Sequence, residues 1–351
     1  VFTGQVVSGT GAVLSIRGIG SSPFDAGIDQ SVSVDIDGVQ ISRGRLITSS
    51  YFDVQQVEIL EGPQALFFGK NSPAGVISIK SELPTDHFFA SAKVGYEIDA
   101  REKYGEAVIS GPITDTLKFR LAFRGSGMDG WNKNIAPATA QPNVFGYPDF
   151  PTAQAVTQKL DRYAPASTEY AGRATLQWTP TSDLDAIFRF TADVAHQNDA
   201  GGNVIVYCPH GGTQQNVYGF TDPGRPCNLN SETRSVAGLP AIFAQNYPYA
   251  NGGIPFYESK NYLASLVLNK RFGWGDVTST TGYVQEIVSD AAVDDDSRYA
   301  LVYDAEHENY KLFTQELRAN TDLKGPINFT AGAYFEHFTR PHFNAPFLGY
   351  E

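Results

Sequence analysis

The chain has 351 residues, a formal net charge of −12 and an isoelectric point near 5.0. Because phosphate binding needs clustered Lys and Arg, this acidity argues against a nucleic-acid partner. No run of about 18 apolar residues occurs, which excludes a transmembrane helix but leaves open membrane-spanning strands, whose signal is alternation.

The N-terminal part contains three motifs in chain order. Residues 16–20 read IRGIG, residues 34–39 read VDIDGV, and residues 53–81 contain two apolar runs, 54–60 and 76–79. Such short apolar runs bounded by turn residues predict β-strands. The turn residues between these two runs are Gly62, Pro63, Gly69 and Gly75.

The rest of the chain alternates apolar and polar side chains over long stretches. In residues 117–124, Leu and Phe alternate with Lys, Ala and Arg, so one strand face is apolar and the other is cationic. Nine strands are predicted, near 88–98, 104–111, 116–127, 168–178, 183–195, 259–271, 275–289, 308–321 and 326–339. Short turns are predicted near 111–115, 179–182, 272–274 and 322–325, and long loops near 128–167, 196–258 and 290–307. This sorting of links by length is typical of outer-membrane barrels, whereas a soluble sandwich has no reason to show it.

In this order and at this spacing, the three motifs resemble the plug domain of TonB-dependent outer-membrane receptors. The resemblance implies a plug of mixed α/β character followed by antiparallel transmembrane β-barrel strands. Residues 1–84 would form the plug and residues 85–351 the first part of the barrel. Barrels that hold a plug have about 22 strands, so the chain would be the N-terminal part of such a receptor, with about thirteen strands to follow. The family's TonB-contacting segment has no clear match before Gly11.

The resemblance also assigns roles to residues. The plug motif positions are Arg17, Gly18, Asp37, Gly38, Gly62, Pro63, Gly69 and Gly75. The expected ligand contacts in the apical loops of the plug are Phe24, Gln40, Arg43, Arg45 and Tyr51. The two loop arginines, Arg43 and Arg45, could bind an anionic ferric chelate, or they could pair with carboxylates of the barrel wall.

Receptors of this family lock the plug to the barrel with plug arginines. Arg17 matches the first of these arginines, but Glu61 stands at the second, where Lys70 could substitute. The matching barrel carboxylates are expected beyond Glu351.

Other chemistry-bearing residues give weaker signals. Cys208 and Cys227 are predicted to form one disulfide in an oxidising compartment, although two free thiols are the alternative. Four carboxylates in a predicted outer loop could bind Ca²⁺ or simply be solvated; they are Asp290, Asp294, Asp295 and Asp296. The histidines are scattered singly and no catalytic motif occurs, so neither an enzyme nor a resident cofactor is expected.

The resemblance implies TonB-dependent uptake of a scarce solute across the outer membrane of a Gram-negative cell. A ferric siderophore is the first hypothesis for the cargo. Oligosaccharide or vitamin uptake, a ligand-sensing signalling receptor and a non-transporting surface scaffold remain alternatives. The expected partners are TonB with its inner-membrane energising complex, outer-membrane lipid and the solute, with no nucleic acid.

Overall fold

The computed structural model describes residues 2–5, 12–21, 30–41, 51–64, 68, 72–135, 161–198, 213–215, 221–227, 231–233, 246–293 and 302–348. Within these residues, no helix is long and apolar enough to cross a membrane. The strands are, in chain order, β1 (Phe2–Gln5), β2 (Ala12–Ile16), β3 (Ile19–Gly20), β4 (Val32–Ile36), β5 (Val39–Ile41), β6 (Val54–Glu61), β7 (Gly75–Ser81), β8 (Phe89–Tyr96), β9 (Lys103–Pro112), β10 (Leu117–Met128), β11 (Asn132–Asn134), β12 (Tyr163–Ala164), β13 (Ala166–Thr181), β14 (Leu184–Asn198), β15 (Thr213–Gln215), β16 (Thr221–Pro226), β17 (Glu232–Thr233), β18 (Phe256–Phe272), β19 (Gly275–Val293), β20 (Val302–Thr321), β21 (Thr330–Thr339) and β22 (His342–Leu348). A 3₁₀ turn spans Asn251–Gly253.

The first seven strands form two small sheets, called here the N-terminal sheets. Strands β1, β2 and β3 make an antiparallel sheet, and the other four pair in the order β5-β4-β7-β6, with β4 and β7 parallel. Between β6 and β7, Phe68 N–H donates to the Gln64 carbonyl at 2.9 Å. The two sheets share an apolar core, which consists of Leu14, Ile16, Val32, Val34, Ala74 and Ile79.

The long strands form one continuous antiparallel sheet, called here the wall. Its order follows the chain from β8 through β9, β10, β13, β14, β18, β19 and β20 to β21. All nine predicted strands are confirmed, with ends that differ by a few residues. β22 continues β21 in the same register on β20, and the strand is interrupted at Pro341, which has no N–H to donate to the ladder.

The two faces of the wall differ as the alternation predicts. On β10, Leu121 and Phe123 are about half exposed on the outer face, whereas Arg120 and Ala122 are buried on the inner face. Exposed large apolar side chains continue on the outer faces of the next strands, among them Tyr170, Leu176, Trp178, Phe188, Phe190, Phe313 and Leu317. A continuous apolar band on the outer face is typical of the lipid-facing side of a membrane-spanning β-barrel.

All the links at one end of the wall are short. They are residues 113–116, 182–183, 273–274 and 322–329, and this end is called the short-turn end. At the opposite, long-loop end, the two longest links are joined, because β11 of the first pairs in parallel with β17 of the second. In outer-membrane barrels, the short turns face the periplasm and the longer loops face outwards.

Candidate functional site

The inner face of the wall carries three buried arginines, called here the arginine row. They are Arg120 on β10, Arg173 on β13 and Arg189 on β14. Arg120 and Arg189 both lie opposite Thr175, one on each side of β13, so the three guanidinium groups lie in neighbouring strands at a similar height. Buried arginines need partners, because a desolvated and uncompensated charge costs several kcal/mol.

Asp53, immediately before β6, supplies one partner. Arg120 Nε donates to Asp53 Oδ2 at 2.8 Å, and Arg120 Nη2 donates to Asp53 Oδ1, so the pair is bidentate. Both side chains are less than 10% exposed. Arg173 Nη1 donates to the Phe52 carbonyl at 3.0 Å, and its guanidinium lies 4.9 Å from the centre of the Phe52 ring. The start of β6 is therefore fixed to two wall strands.

Asp37, in the turn between β4 and β5, supplies the second partner. Its carboxylate accepts hydrogen bonds from Ser81 N–H at 2.9 Å and Ser81 Oγ at 2.7 Å, and lies 3.5 Å from Arg189 Nε. Asp37 and Gly38 have φ values of 53° and 86°, as expected for a two-residue Asp-Gly hairpin turn. One side chain thus ties β7, the hairpin and the wall together.

Strand β5 forms an apolar contact with the wall. Val39 and Ile41 pack with four wall residues from β18, β19 and β20, which are Leu263, Val284, Tyr310 and Leu312. The contact is close at Gly282, because a Cβ there would lie only 2.8 Å from the Val39 methyl carbons. Strand β5 therefore lies directly against this part of the wall.

Below β5, towards the short-turn end, lies a cavity of about 810 Å³ between the N-terminal sheets and β14 and β18–β21. Its charged lining residues are Asp35, Asp37, Glu58, Lys80, Arg189, Glu316 and Arg318. Burial raises the pKa of Asp35 to about 6; the hydrogen bond from Ser78 opposes this rise, and the nearby carboxylates of Asp37 and Glu316 add to it. Glu58 pairs with Lys80, and Glu316 with Arg318, so most of the remaining charge is compensated.

On the other side of β5, towards the long-loop end, the inner face of the wall is acidic. The buried carboxylates there are Glu286, Asp290, Asp304, Glu306 and Glu308. Glu308 accepts from Arg340 Nε at 2.7 Å, and His342 Nδ1 lies 3.1 Å from the same carboxylate. Two groups of three residues there have ligand atoms within 4.8 Å of one another, a spacing that could hold a cation. The first group is Glu306, Glu308 and His342, and the second is Asp290, Asp304 and Glu306. Arg340 already supplies positive charge to the first group.

The plug motif residues within the described part of the chain occupy turns and strand ends. Arg17 and Gly18 form the turn between β2 and β3, and the exposed Arg17 side chain pairs with Glu61 of the same N-terminal sheets. Gly62 follows β6 with φ 81°, and Pro63 comes next. Gly75 opens β7, where a Cβ would lie 2.4 Å from the Leu60 carbonyl.

The prediction that Gln40 lies in an apical loop is wrong. Asp37 and Gly38 turn the chain within two residues, so Gln40 returns in β5, pairs with Asp35 and lines the cavity near the short-turn end. Its Nε2 donates to Ser33 Oγ at 3.0 Å. Tyr51 is 45% exposed.

Several predicted residues lie outside the described part of the chain. They are Phe24, Arg43, Arg45, Gly69, Lys70, Cys208, Asp294, Asp295 and Asp296. Cys227 is disulfide-bonded.

The anchoring contacts were not predicted from the sequence. Alternation predicts cations on one face of β10 but gives no partner for them, because Arg120 and Asp53 are 67 residues apart. For Asp37, a usable signal existed: the Asp-Gly turn fixes its backbone and points to a specific structural role.

Comparison with known proteins agrees with the geometry. Residues 1–76 match the model of the TonB-dependent receptor plug domain. The ferric yersiniabactin uptake receptor FyuA from Yersinia pestis has a similar structure, with a TM-score of 0.69 over 99% of this chain and 15% sequence identity. Residues 1–76 are thus similar to a TonB-dependent receptor plug domain, and nearly the whole chain has the fold of a plugged β-barrel receptor. The N-terminal sheets fall largely within the matched plug residues, the wall follows them, and the protein lies in the outer membrane.

The chain matches only part of its curated relatives. The pesticin receptor of Yersinia pestis is 32% identical over 138 residues, which cover 38% of this chain and 19% of that protein. The ferric enterobactin receptor PirA of Pseudomonas aeruginosa is 23% identical over 244 residues, or 66% of this chain and 28% of PirA. The receptor spans 45% of the solved FyuA chain and a smaller share of these curated relatives.

Proposed function

We propose that this receptor takes up a ferric siderophore across the outer membrane, with energy supplied by TonB and its inner-membrane complex. The observation that carries the proposal is the occupied lumen, in which buried ion pairs anchor the plug to the wall. A channel filled in this way must be rearranged before a solute can pass, which favours energised uptake over passive diffusion. FyuA is a ferric yersiniabactin uptake receptor and PirA is a ferric enterobactin receptor, which supports the choice of cargo.

The proposed activity involves no covalent step and no resident cofactor. Residues 1–84 act as the plug and residues 85–351 as the first part of the barrel. Cargo meets the plug from the long-loop end, and the two cations that contact it are supplied by Arg43 and Arg45, which follow β5 in the chain. A partner nucleic acid does not fit the net charge of −12.

The first test compares cells grown with and without iron. We expect iron starvation to raise the amount of the receptor in the outer membrane, and we expect cells lacking it to lose uptake of radiolabelled ferric siderophore. An unchanged amount together with unimpaired siderophore uptake would contradict the cargo, and growth on glycans or vitamins would then be compared.

The second test asks what the two loop arginines bind. We expect Arg43→Ala and Arg45→Ala each to weaken siderophore binding about tenfold, since a charge-assisted hydrogen bond contributes roughly 1.5–3 kcal/mol. Arg271→Ala, at the short-turn end of β18, is the matched control and should leave binding unchanged. If the affinity for siderophore is unchanged but the plug becomes sensitive to protease, the two arginines instead form ion pairs with buried carboxylates of the wall.

A further inference from the structure

One carboxylate on the inner face of the wall lacks the partners that its burial requires. Asp193 of β14 is 3% exposed, and its Oδ1 accepts a hydrogen bond from Asn261 Nδ2 of β18 at 3.0 Å. Its Oδ2 accepts no hydrogen bond from any described residue. The arginine row does not compensate it, because Arg173 and Arg189 bind residues of the plug. A buried and uncompensated carboxylate is strongly unfavourable, so a further partner is expected.

The amide beside this carboxylate also has an unused acceptor. Asn261 is 7% exposed, and its Oδ1 accepts no hydrogen bond within the part of the chain that the structure describes. In the wall, Asn261 pairs directly with Asp193 on β14 and with Glu286 on β19, and Glu286 is 1% exposed. Side chains at directly opposite positions have Cβ atoms about 4.5–5.5 Å apart. Two carboxylates and one amide therefore lie side by side, and one oxygen each of Asp193 and Asn261 is available to a ligand.

We propose that Asp193, Asn261 and Glu286 form a buried binding site for a hard divalent cation of the Ca²⁺ class. A buried polar atom without a protein partner commonly marks the place of a water molecule or an ion. A cation here contacts the available oxygens of Asp193 and Asn261 and compensates the buried charge of Asp193. The site goes beyond the proposed uptake, because the ion is a resident of the wall and is not the cargo.

The ligand atoms decide the class of cation. All three side chains offer oxygen, and Ca²⁺ takes about 6–8 oxygen ligands from carboxylates, amide carbonyls and waters in a flexible geometry. Zn²⁺ prefers nitrogen and sulfur ligands, which these three side chains do not supply. A water molecule could donate to both available oxygens, but it would leave the buried charge of Asp193 uncompensated. The charge therefore favours an ion over a water molecule.

The site lies next to the apolar contact between β5 and the wall. Leu263, which follows Asn261 by two residues, and Val284, which precedes Glu286 by two residues, both pack with β5. The site is thus one inward-facing position nearer the long-loop end, and this end faces outwards in outer-membrane barrels. Extracellular Ca²⁺ modules have dissociation constants of about 10⁻⁴–10⁻³ M, and we expect an affinity in this range.

Calcium binding to the purified receptor, in detergent from which lipopolysaccharide has been removed, tests the site. We expect isothermal titration with CaCl₂ to show binding to the wild type. Saturating Ca²⁺ should raise the midpoint temperature of thermal unfolding by at least about 2 °C relative to EDTA, because an ion that binds only the folded state stabilises it. Asp193→Asn should weaken Ca²⁺ binding by at least about tenfold, since the charge of the ligands tunes the affinity of such sites.

Asp185 provides the matched control on the same strand. It accepts one amide hydrogen bond from Gln177 Nε2 of β13 at 2.9 Å, and it lies directly opposite Asn269 of β18. Here the amide oxygen is already used, because Asn269 Oδ1 accepts from Thr278 Oγ1 at 2.8 Å. We expect Asp185→Asn to bind Ca²⁺ with the affinity of the wild type and to show the same rise in unfolding temperature.

Several results would overturn the inference. One is the absence of Ca²⁺ binding to the wild type, and another is equal affinity in the wild type and Asp193→Asn. A water molecule in place of the ion would make Asp193→Asn raise the unfolding temperature equally in Ca²⁺ and in EDTA, which also overturns the site. Loss of binding in Asp304→Asn with full binding in Asp193→Asn would move the ion to another acidic group and overturn the assignment. None of these measurements depends on the cargo.

Discussion

At the residue scale, two aspartates hold the plug to the wall, with the negative charges on the plug and the positive charges on the wall. Asp37 and Asp53 belong to the plug, and their partners Arg120 and Arg189 belong to the wall. The plug arginine that the family motif identifies, Arg17, pairs instead with Glu61 of the plug in an exposed contact. In the described part of the chain, plug anchoring therefore relies on wall cations and plug anions.

Removing the carboxylate of Asp53 should strongly destabilise the docked plug. Asp53→Asn leaves Arg120 buried beside a neutral amide, and breaking such a pair costs about 3–5 kcal/mol. The loss of plug stability is measured by unfolding in denaturant, with the protease sensitivity of the plug as the signal. Glu61→Gln is the control, because an exposed ion pair contributes under about 1 kcal/mol; equal effects of both substitutions would contradict the anchoring role of Asp53.

Asp35 should make plug stability depend on pH. Its folded-state pKa of about 6 lies above the ordinary aspartate value of 3.8, so between these values the folded state binds more protons than the unfolded state. Stability therefore falls as pH rises from about 4 to 6, by on the order of 2 kcal/mol, and stays lower above pH 6. Asp35→Asn should remove this slope and stabilise the plug at pH 7, as unfolding at pH 4 and pH 7 would reveal. A slope that the substitution leaves intact would assign the pH dependence to other groups.

Sequence reasoning reached some of this site and missed the rest for a physical reason. Alternation on β10 correctly placed Arg120 and Phe123 on opposite faces, because strand periodicity is local. The partner of Arg120 is set by the docking of two distant segments, which no local pattern encodes. Gln40 is a different case, since the Asp-Gly turn before it was readable and should have indicated a returning strand.

At the scale of elements, the contact between β5 and β19 depends on a missing side chain. Gly282 has no Cβ, and one added there would lie 2.5 Å from Thr314 Oγ1 and 2.8 Å from the Val39 methyl groups. Gly282→Ala should therefore displace β5 and cost about 1–3 kcal/mol of plug stability. Limited proteolysis of the plug is the measurement.

Gly273 provides the matched control for this substitution. It lies in the short turn between β18 and β19, and a Cβ there meets no atom within 4 Å. Gly273→Ala should leave the protease resistance of the plug unchanged. Wild-type resistance in Gly282→Ala would mean that β5 does not need the close approach.

At the scale of the whole molecule, the outer band of the wall should determine membrane insertion. Phe123 is half exposed on the outer face near the middle of β10, and an arginine near the bilayer midplane costs about 2–4 kcal/mol. Phe123→Arg should lower the folding stability of the receptor in lipid vesicles by this amount. Thr168→Arg, on the outer face of β13 near the long-loop end, should cost at most about 1 kcal/mol. Equal costs at the two positions would contradict the placement of the band.

The position of the arginine row also bears on how the receptor is assembled. Its three strands, β10, β13 and β14, are among the first that follow the plug in the chain, and they form a contiguous sheet without the strands after Asn198. Both plug aspartates can therefore find their partners on an open sheet, before any barrel closes. The plug need not be threaded into a finished cylinder; the cylinder can be built around a plug that is already attached to it.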